Sequence, residues 1–287
     1  MESSNGKEKV MAEEEKQKVS QKTRKVSKIL LSILILLICL IVIFICYELA
    51  TANKKYYIGE KDILIPIFLY HNIVEEQHNP DYMETKKEVI EKQVSDFLNL
   101  GYDFISYEDL IAYQQGKIPL KKRSLLVAFD DGYTENETVA LPIIEKYQIP
   151  VAIFVIDDTV GKEGYLSWDQ IRHLEETGLV SIHTHGKTHY EFDKEGTAKA
   201  VADVEEAHAH IEKELGKSIT KIFTYPYGLY RQETIDALTE AGFVQNLTDN
   251  KINKSKELNL SQLHRMYPLE DPTIKILAKI WYRSIRY

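Results

Sequence analysis

Asp130 and Asp131 stand side by side after an apolar run, Leu125–Phe129, and Gly132 follows them. Two carboxylates at the end of a buried strand are costly unless a cation neutralises at least one of them. Asp-Gly is also turn and helix-cap chemistry, so the pair alone is compatible with a plain turn. Farther along, His185 and His189 have the spacing H-x3-H. Where the chain is helical or turned, that spacing points two imidazoles at one ion; ordinary exposed histidines show it too. His183 would share a strand face with His185, which leaves it open as a supporting group. Two histidines and one aspartate, with positions left for water, describe a catalytic metal site rather than a closed structural one. The expected cofactor is a divalent metal ion, zinc first, with cobalt or nickel as alternatives.

Tyr225-Pro226-Tyr227-Gly228 reads as a rigid turn. Its backbone N–H groups could form an oxyanion hole, although most such segments are simply turns. His71, after Ile67–Tyr70, would on its own more often be a packed histidine than a catalyst.

Each cluster needs an element to hold it, and each follows a strand-like run. Such runs lie at Ile63–Tyr70, Asp103–Ser106, Ser124–Phe129, Val151–Ile156, Leu179–His183, Lys221–Thr224 and Phe243–Leu247. Helical patterns fall between them, including Glu195–Leu215 and Gln232–Ala241. Thr85 with Glu88 and Ser167 with Gln170 have capping-box spacing. Alternating strands and helices predict an α/β fold with a parallel sheet. About seven such units predict a closed or nearly closed (β/α) barrel. The C-terminal strand ends of such a barrel share one face, which is where active sites form.

Upstream of the barrel, residues 1–28 are polar and are expected to form a disordered cytoplasmic tail. Residues 29–47 carry no charge, and a single transmembrane helix is expected over 29–48. Lys22, Arg24, Lys25 and Lys28 precede the run. The positive-inside rule then leaves the N-terminus in the cytoplasm and the domain at 61–287 outside, joined by a stalk at 49–60. Ala50-Thr51-Ala52 offers the alternative of a cleaved signal peptide. Cys39 and Cys46, the two cysteines, both lie in the apolar run, so the domain has neither disulfide nor cysteine metal site. The whole chain's 44 acidic against 36 basic residues argue against a nucleic-acid partner.

Taken in order, Phe129-Asp130-Asp131-Gly132-Tyr133, Thr184-His185-Gly186-Lys187-Thr188-His189 and Phe223-Thr224-Tyr225-Pro226-Tyr227-Gly228 resemble the polysaccharide deacetylase family, carbohydrate esterase family 4 with its NodB-homology domain. Tyr165-Leu166-Ser167-Trp168-Asp169 and Leu263-His264-Arg265 look like further family positions. The resemblance covers about Ile63 to Pro268 and implies a distorted, incomplete (β/α) barrel. It implies that Asp131, His185 and His189 hold the metal and that Asp130 is the general base. The Tyr227 amide would bind the oxyanion. Many members carry an arginine near the proline, where this chain has Tyr225, and Arg265 is the expected substitute. Leu69-Tyr70-His71-Asn72 is similar to the exopolysaccharide deacetylase branch, which implies His71 as general acid and His264 as fallback. Tyr133, Tyr225, Pro226 and Trp168 are expected to support the substrate.

The implied activity is removal of N-acetyl groups from a polysaccharide of N-acetylglucosamine type, of the biofilm kind. Peptidoglycan deacetylation and a catalytically silent, membrane-anchored glycan-binding barrel are the alternatives. The amphipathic C-terminal stretch Ile274–Tyr287 is expected to cover the barrel, with contact to anionic lipid as the other reading.

Overall fold

The computed structural model describes residues 28, 30–44, 56–57, 62–76 and 83–286. The chain divides into two units, Met1–Lys54 and Lys55–Tyr287. In the first, residues 30–44 are helical with exposed side chains. Among the described residues, no helix is long and apolar enough to cross a membrane. A span needs about 20 helical residues, so the helix expected over 29–48 is not supported. Its ends, 29 and 45–48, lie outside the described residues, as do the tail up to 27 and the stalk apart from Tyr56–Tyr57.

The second unit is built on an eight-stranded sheet. Its strands are β1 (Ile67–Tyr70), β2 (Asp103–Phe104), β3 (Ser124–Phe129), β4 (Val151–Val155), β5 (Val180–Thr184), β6 (Ile222–Thr224), β7 (Val244–Leu247) and β8 (Leu263–His264). All pairings within it are parallel, running β8-β7-β6-β5-β4-β3-β1 with β2 beside the start of β3. Met266 then exchanges backbone hydrogen bonds with Ile67 and Leu69, so the last strand comes round to the first. This is a nearly closed α/β barrel. Seven strands match expected runs; Leu263–His264 is the addition.

Helices α1 (Lys87–Asn99), α2 (Tyr107–Gln114), α3 (Leu141–Tyr147), α4 (Trp168–Glu176), α5 (Thr197–Leu215), α6 (Gln232–Glu240) and α7 (Thr273–Arg286) connect or follow the strands. Strands covered on both faces should be apolar throughout, and β3 and β4 are buried at every residue. Alternate residues part into two clusters. Ile67, Leu126, Ala128, Phe154, Ile222, Val244 and Leu263 fill the barrel interior. Phe68, Tyr70, Val127, Phe129, Ile153, Val155 and Ile182 pack outward against the helices. Ile276 and Ile280 of α7 join that outer cluster, so α7 does cover the barrel.

Candidate active site

Strand parity delivers most of the site. The period of two that faces Leu126 and Ala128 inward also carries Asp130 inward at the end of β3. It likewise takes His71 after Ile67, Thr248 after Val244, and Arg265 after Leu263. His185 lies two beyond His183, whose ring packs on the interior Phe154. Asp131 has the wrong parity. Its φ of 71° turns the chain, and Gly132 at 74° continues the turn, so adjacent carboxylates reach one cavity. A Cβ on Gly132 would lie 2.9 Å from Val155 Cγ1, which leaves room only for glycine. His189 and Tyr227 also have positive φ, 57° and 58°. Left-handed backbone costs about 1–2 kcal/mol per non-glycine residue and gathers at functional sites.

These segments enclose a cavity of about 140 Å³. His71, Asp130, Asp131, His185, His189 and Tyr227 line it, together with Met83, Tyr225, Gly228, Thr248 and Tyr267. Asp131 Oδ1 lies 3.4 Å from His185 Nε2 and 3.5 Å from His189 Nε2. One ligand atom from each of the three residues lies within 4.8 Å of the others. Donors about 2.1 Å from a tetrahedral ion sit about 3.4 Å apart, so the trio fits a divalent cation. His185 Nδ1 donates to the Thr224 carbonyl at 2.8 Å, which leaves Nε2 as the lone pair facing Asp131. Asp130 Oδ2 is 3.9 Å from His185 Nε2, and Asp130 is gripped instead by Arg265.

The charges reinforce one another. Burial alone would raise the Asp130 carboxyl, but the Arg265 guanidinium outweighs it and holds the group below its usual range. Burial likewise opposes ionisation of Asp131, yet the His185 imidazole brings that carboxyl down to about 2. His185 is raised, because Asp130 and Asp131 together overcome its burial. His189 is lowered to about 4 by burial and by the nearby His185. Burial also lowers His71, against the pull of Asp130.

With this geometry in hand, residues 117–245 match the family model described as polysaccharide deacetylase. Over that stretch the chain is similar to the polysaccharide deacetylases. Bacillus subtilis YxkH, which bears the polysaccharide deacetylase name, is 26% identical over 208 residues, 72% of each chain. A poly-beta-1,6-N-acetyl-D-glucosamine N-deacetylase from Staphylococcus aureus is 30% identical over 156 residues. That match spans 48% of this chain and about half, 52%, of the relative. The Streptococcus pyogenes deacetylase PplD, solved with acetate, has a TM-score of 0.69 over 77% of this chain and 99% of its own. At 20% identity that likeness speaks for the fold.

The cavity does not gather every expected residue. Tyr133 stacks on Tyr165 at 5.3 Å, and burial together with the nearby Asp131 carboxylate pushes its hydroxyl up. Tyr225 lines the cavity but gives its hydroxyl to Gln245 at 2.5 Å. Pro226 is buried in the turn beneath Tyr227. Trp168 opens α4 and sets its ring against His210 at 5.3 Å, away from the cavity. His183 bonds Ser181 and the Thr220 carbonyl, so it does not back the metal trio. His264 is corrected as a fallback acid. Parity sends it outward where Arg265 goes inward, and its Nδ1 lies 2.9 Å from Asp249. It lines a separate, larger cavity of about 330 Å³ along residues 251–264 that contains none of the trio. Volume does not mark the active site here; convergent titratable groups do. Thr248 and Tyr267 escaped the sequence reading, although continued parity from Val244 and Arg265 would have found them.

Proposed function

We propose that this domain removes N-acetyl groups from a surface polysaccharide of N-acetylglucosamine type. One observation carries the reading: the Asp131/His185/His189 trio shares its cavity with a second, ionised carboxylate, Asp130, held by Arg265. A glycan-binding barrel would not need that extra base. A divalent ion bound by the trio, zinc first, would supply Lewis-acid polarisation of the acetyl carbonyl and lower the pKa of a water to about 7. Asp130 takes a proton from the attacking water. The Tyr227 amide donates to the oxyanion, a contact worth roughly 3 kcal/mol in comparable sites. The leaving sugar nitrogen needs a proton. His71 rests neutral in the same cavity and passes on the proton collected by Asp130. The C–N bond breaks, and acetate and a free amine leave.

The S. aureus relative, by its name, acts on poly-beta-1,6-N-acetylglucosamine, which favours that glycan over peptidoglycan here. Acetate and free amine are to be measured with the purified chain on both polymers. Release from the poly-N-acetylglucosamine supports the reading. Release from peptidoglycan alone moves the substrate, and binding without release from either returns the domain to the glycan-binding alternative.

The same reading places the enzyme outside the cytoplasmic membrane, tethered through the apolar run 29–47 with its basic flank. Protease added to intact cells should degrade the domain and spare a tag at Met1. A protected domain overturns the placement, and a domain free in the medium means cleavage near Ala52.

A further inference from the structure

The two histidines of the trio are held differently. His185 sits at the end of β5, and its ring is tied to the Thr224 carbonyl. His189 lies four residues further on, so the peptides of Gly186, Lys187 and Thr188 between them decide where its imidazole stands. Asp203, on α5 and only 7% exposed, binds that loop. Its Oδ1 accepts the Lys187 N–H at 2.7 Å. Its Oδ2 accepts the Thr188 N–H at 3.2 Å and the Thr188 hydroxyl at 2.8 Å. Successive backbone N–H groups converging on one anion form a nest, here filled by the protein's own carboxylate. The opposite edge of the loop is held too, since Asp157 N–H donates to the Gly186 carbonyl and Asp158 N–H to that of Lys187. Gly186 has φ of 83°, and a Cβ there would lie 2.7 Å from Asp203 Oδ1. The glycine thus admits the carboxylate as well as the turn.

We propose that Asp203 is a positioning residue for the metal trio, fixing the Gly186–Thr188 loop so that His189 meets Asp131 and His185. This rests on the reading of the trio as a metal site. Groups that orient ligands from behind typically change metal affinity 10–100-fold when removed.

Cobalt(II) is the probe, added to the purified full chain. Affinity is read by chelator competition and geometry by the visible spectrum, with unfolding of the metal-free protein measured alongside. Asp203→Ala should weaken cobalt binding about 10–100-fold and alter the spectrum. Asp203→Asn, which keeps one acceptor oxygen, should fall between Asp203→Ala and the parent. Thr188→Val, which removes one bond of three, should cost a few-fold at most. If Asp203→Ala does not fold, Asp203→Asn and Thr188→Val carry the test. Parent-like affinity and spectrum in the folded Asp203 variants overturn the proposal, even where their stability falls. A parent chain that binds no cobalt overturns the metal reading itself, and this inference with it.

Discussion

Arg265 grips Asp130 with both prongs of its guanidinium, Nη1 to Oδ1 at 2.7 Å and Nη2 to Oδ2 at 2.8 Å. Nη2 also donates to Thr248 Oγ1 at 2.8 Å. Both partners are buried. A bidentate fork fixes the carboxylate plane as well as its charge. The arginine arrives after β8, on a different segment from Tyr225-Pro226, which follows β6.

Arg265→Gln should strand Asp130 in the interior. Burial would then push its carboxyl above the ordinary range instead of below it. The penalty is full while Asp130 is ionised and shrinks as pH falls through the raised value, opposite in sign to the parent. Removing one partner of a buried pair costs about 3–5 kcal/mol. Unfolding at pH 7 and pH 5 should show the larger deficit at pH 7, and the acid limb of kcat/KM should move to higher pH. An unmoved limb would mean that Arg265 does not set the charge state of the base.

Metal content provides an independent check on the trio. His185→Ala and His189→Ala should each lose bound metal and activity together. Elemental analysis that finds about one ion per chain in both variants puts the site elsewhere.

Gly132→Ala tests the turn that brings both aspartates together. Left-handed backbone costs an alanine about 1–2 kcal/mol, and the clash with Val155 adds about 1–3. Gly216→Ala is the control, because φ there is 65° with nothing within 4 Å of the added methyl. Denaturant unfolding should show a loss of about 2–5 kcal/mol for Gly132→Ala and about 1–2 for Gly216→Ala. Equal losses would remove the steric argument.

Much of the fold was legible because buried parallel strands write themselves as apolar runs, and β3 and β4 do so without a break. Leu263–His264 was missed because two residues have no period. Ser167 and Gln170 form the capping box their spacing implies. Thr85 does not, since it lies on a short strand with Ile73 and α1 begins after Lys86. The box that was overlooked, Ser106 with Asp109, lay under a strand reading drawn two residues too far. In the site, polar residues at strand ends betrayed themselves against apolar neighbours. Asp203 could not, because next to Glu205 and Glu206 it looks like part of a solvated helix face.

The division of labour between Asp130 and Asp131 is the sharpest point to test. Adjacency hides their roles in the sequence, but their surroundings differ. Asp131 faces both imidazoles, and Asp130 is engaged by Arg265 with His185 Nε2 farther off. Asp130→Asn keeps size and polarity and removes the base. It should leave metal affinity near that of the parent and lower kcat by roughly 10²–10⁴-fold, the usual worth of general-base catalysis. Asp131→Asn should weaken metal binding, with part of its activity returning as zinc or cobalt is raised. The measurement is deacetylation rate against added metal for both variants. Rescue of Asp130→Asn by excess metal, without rescue of Asp131→Asn, reverses the roles. Near-full activity of Asp130→Asn without added metal removes the base from the mechanism, leaving Asp130 as a structural partner of Arg265.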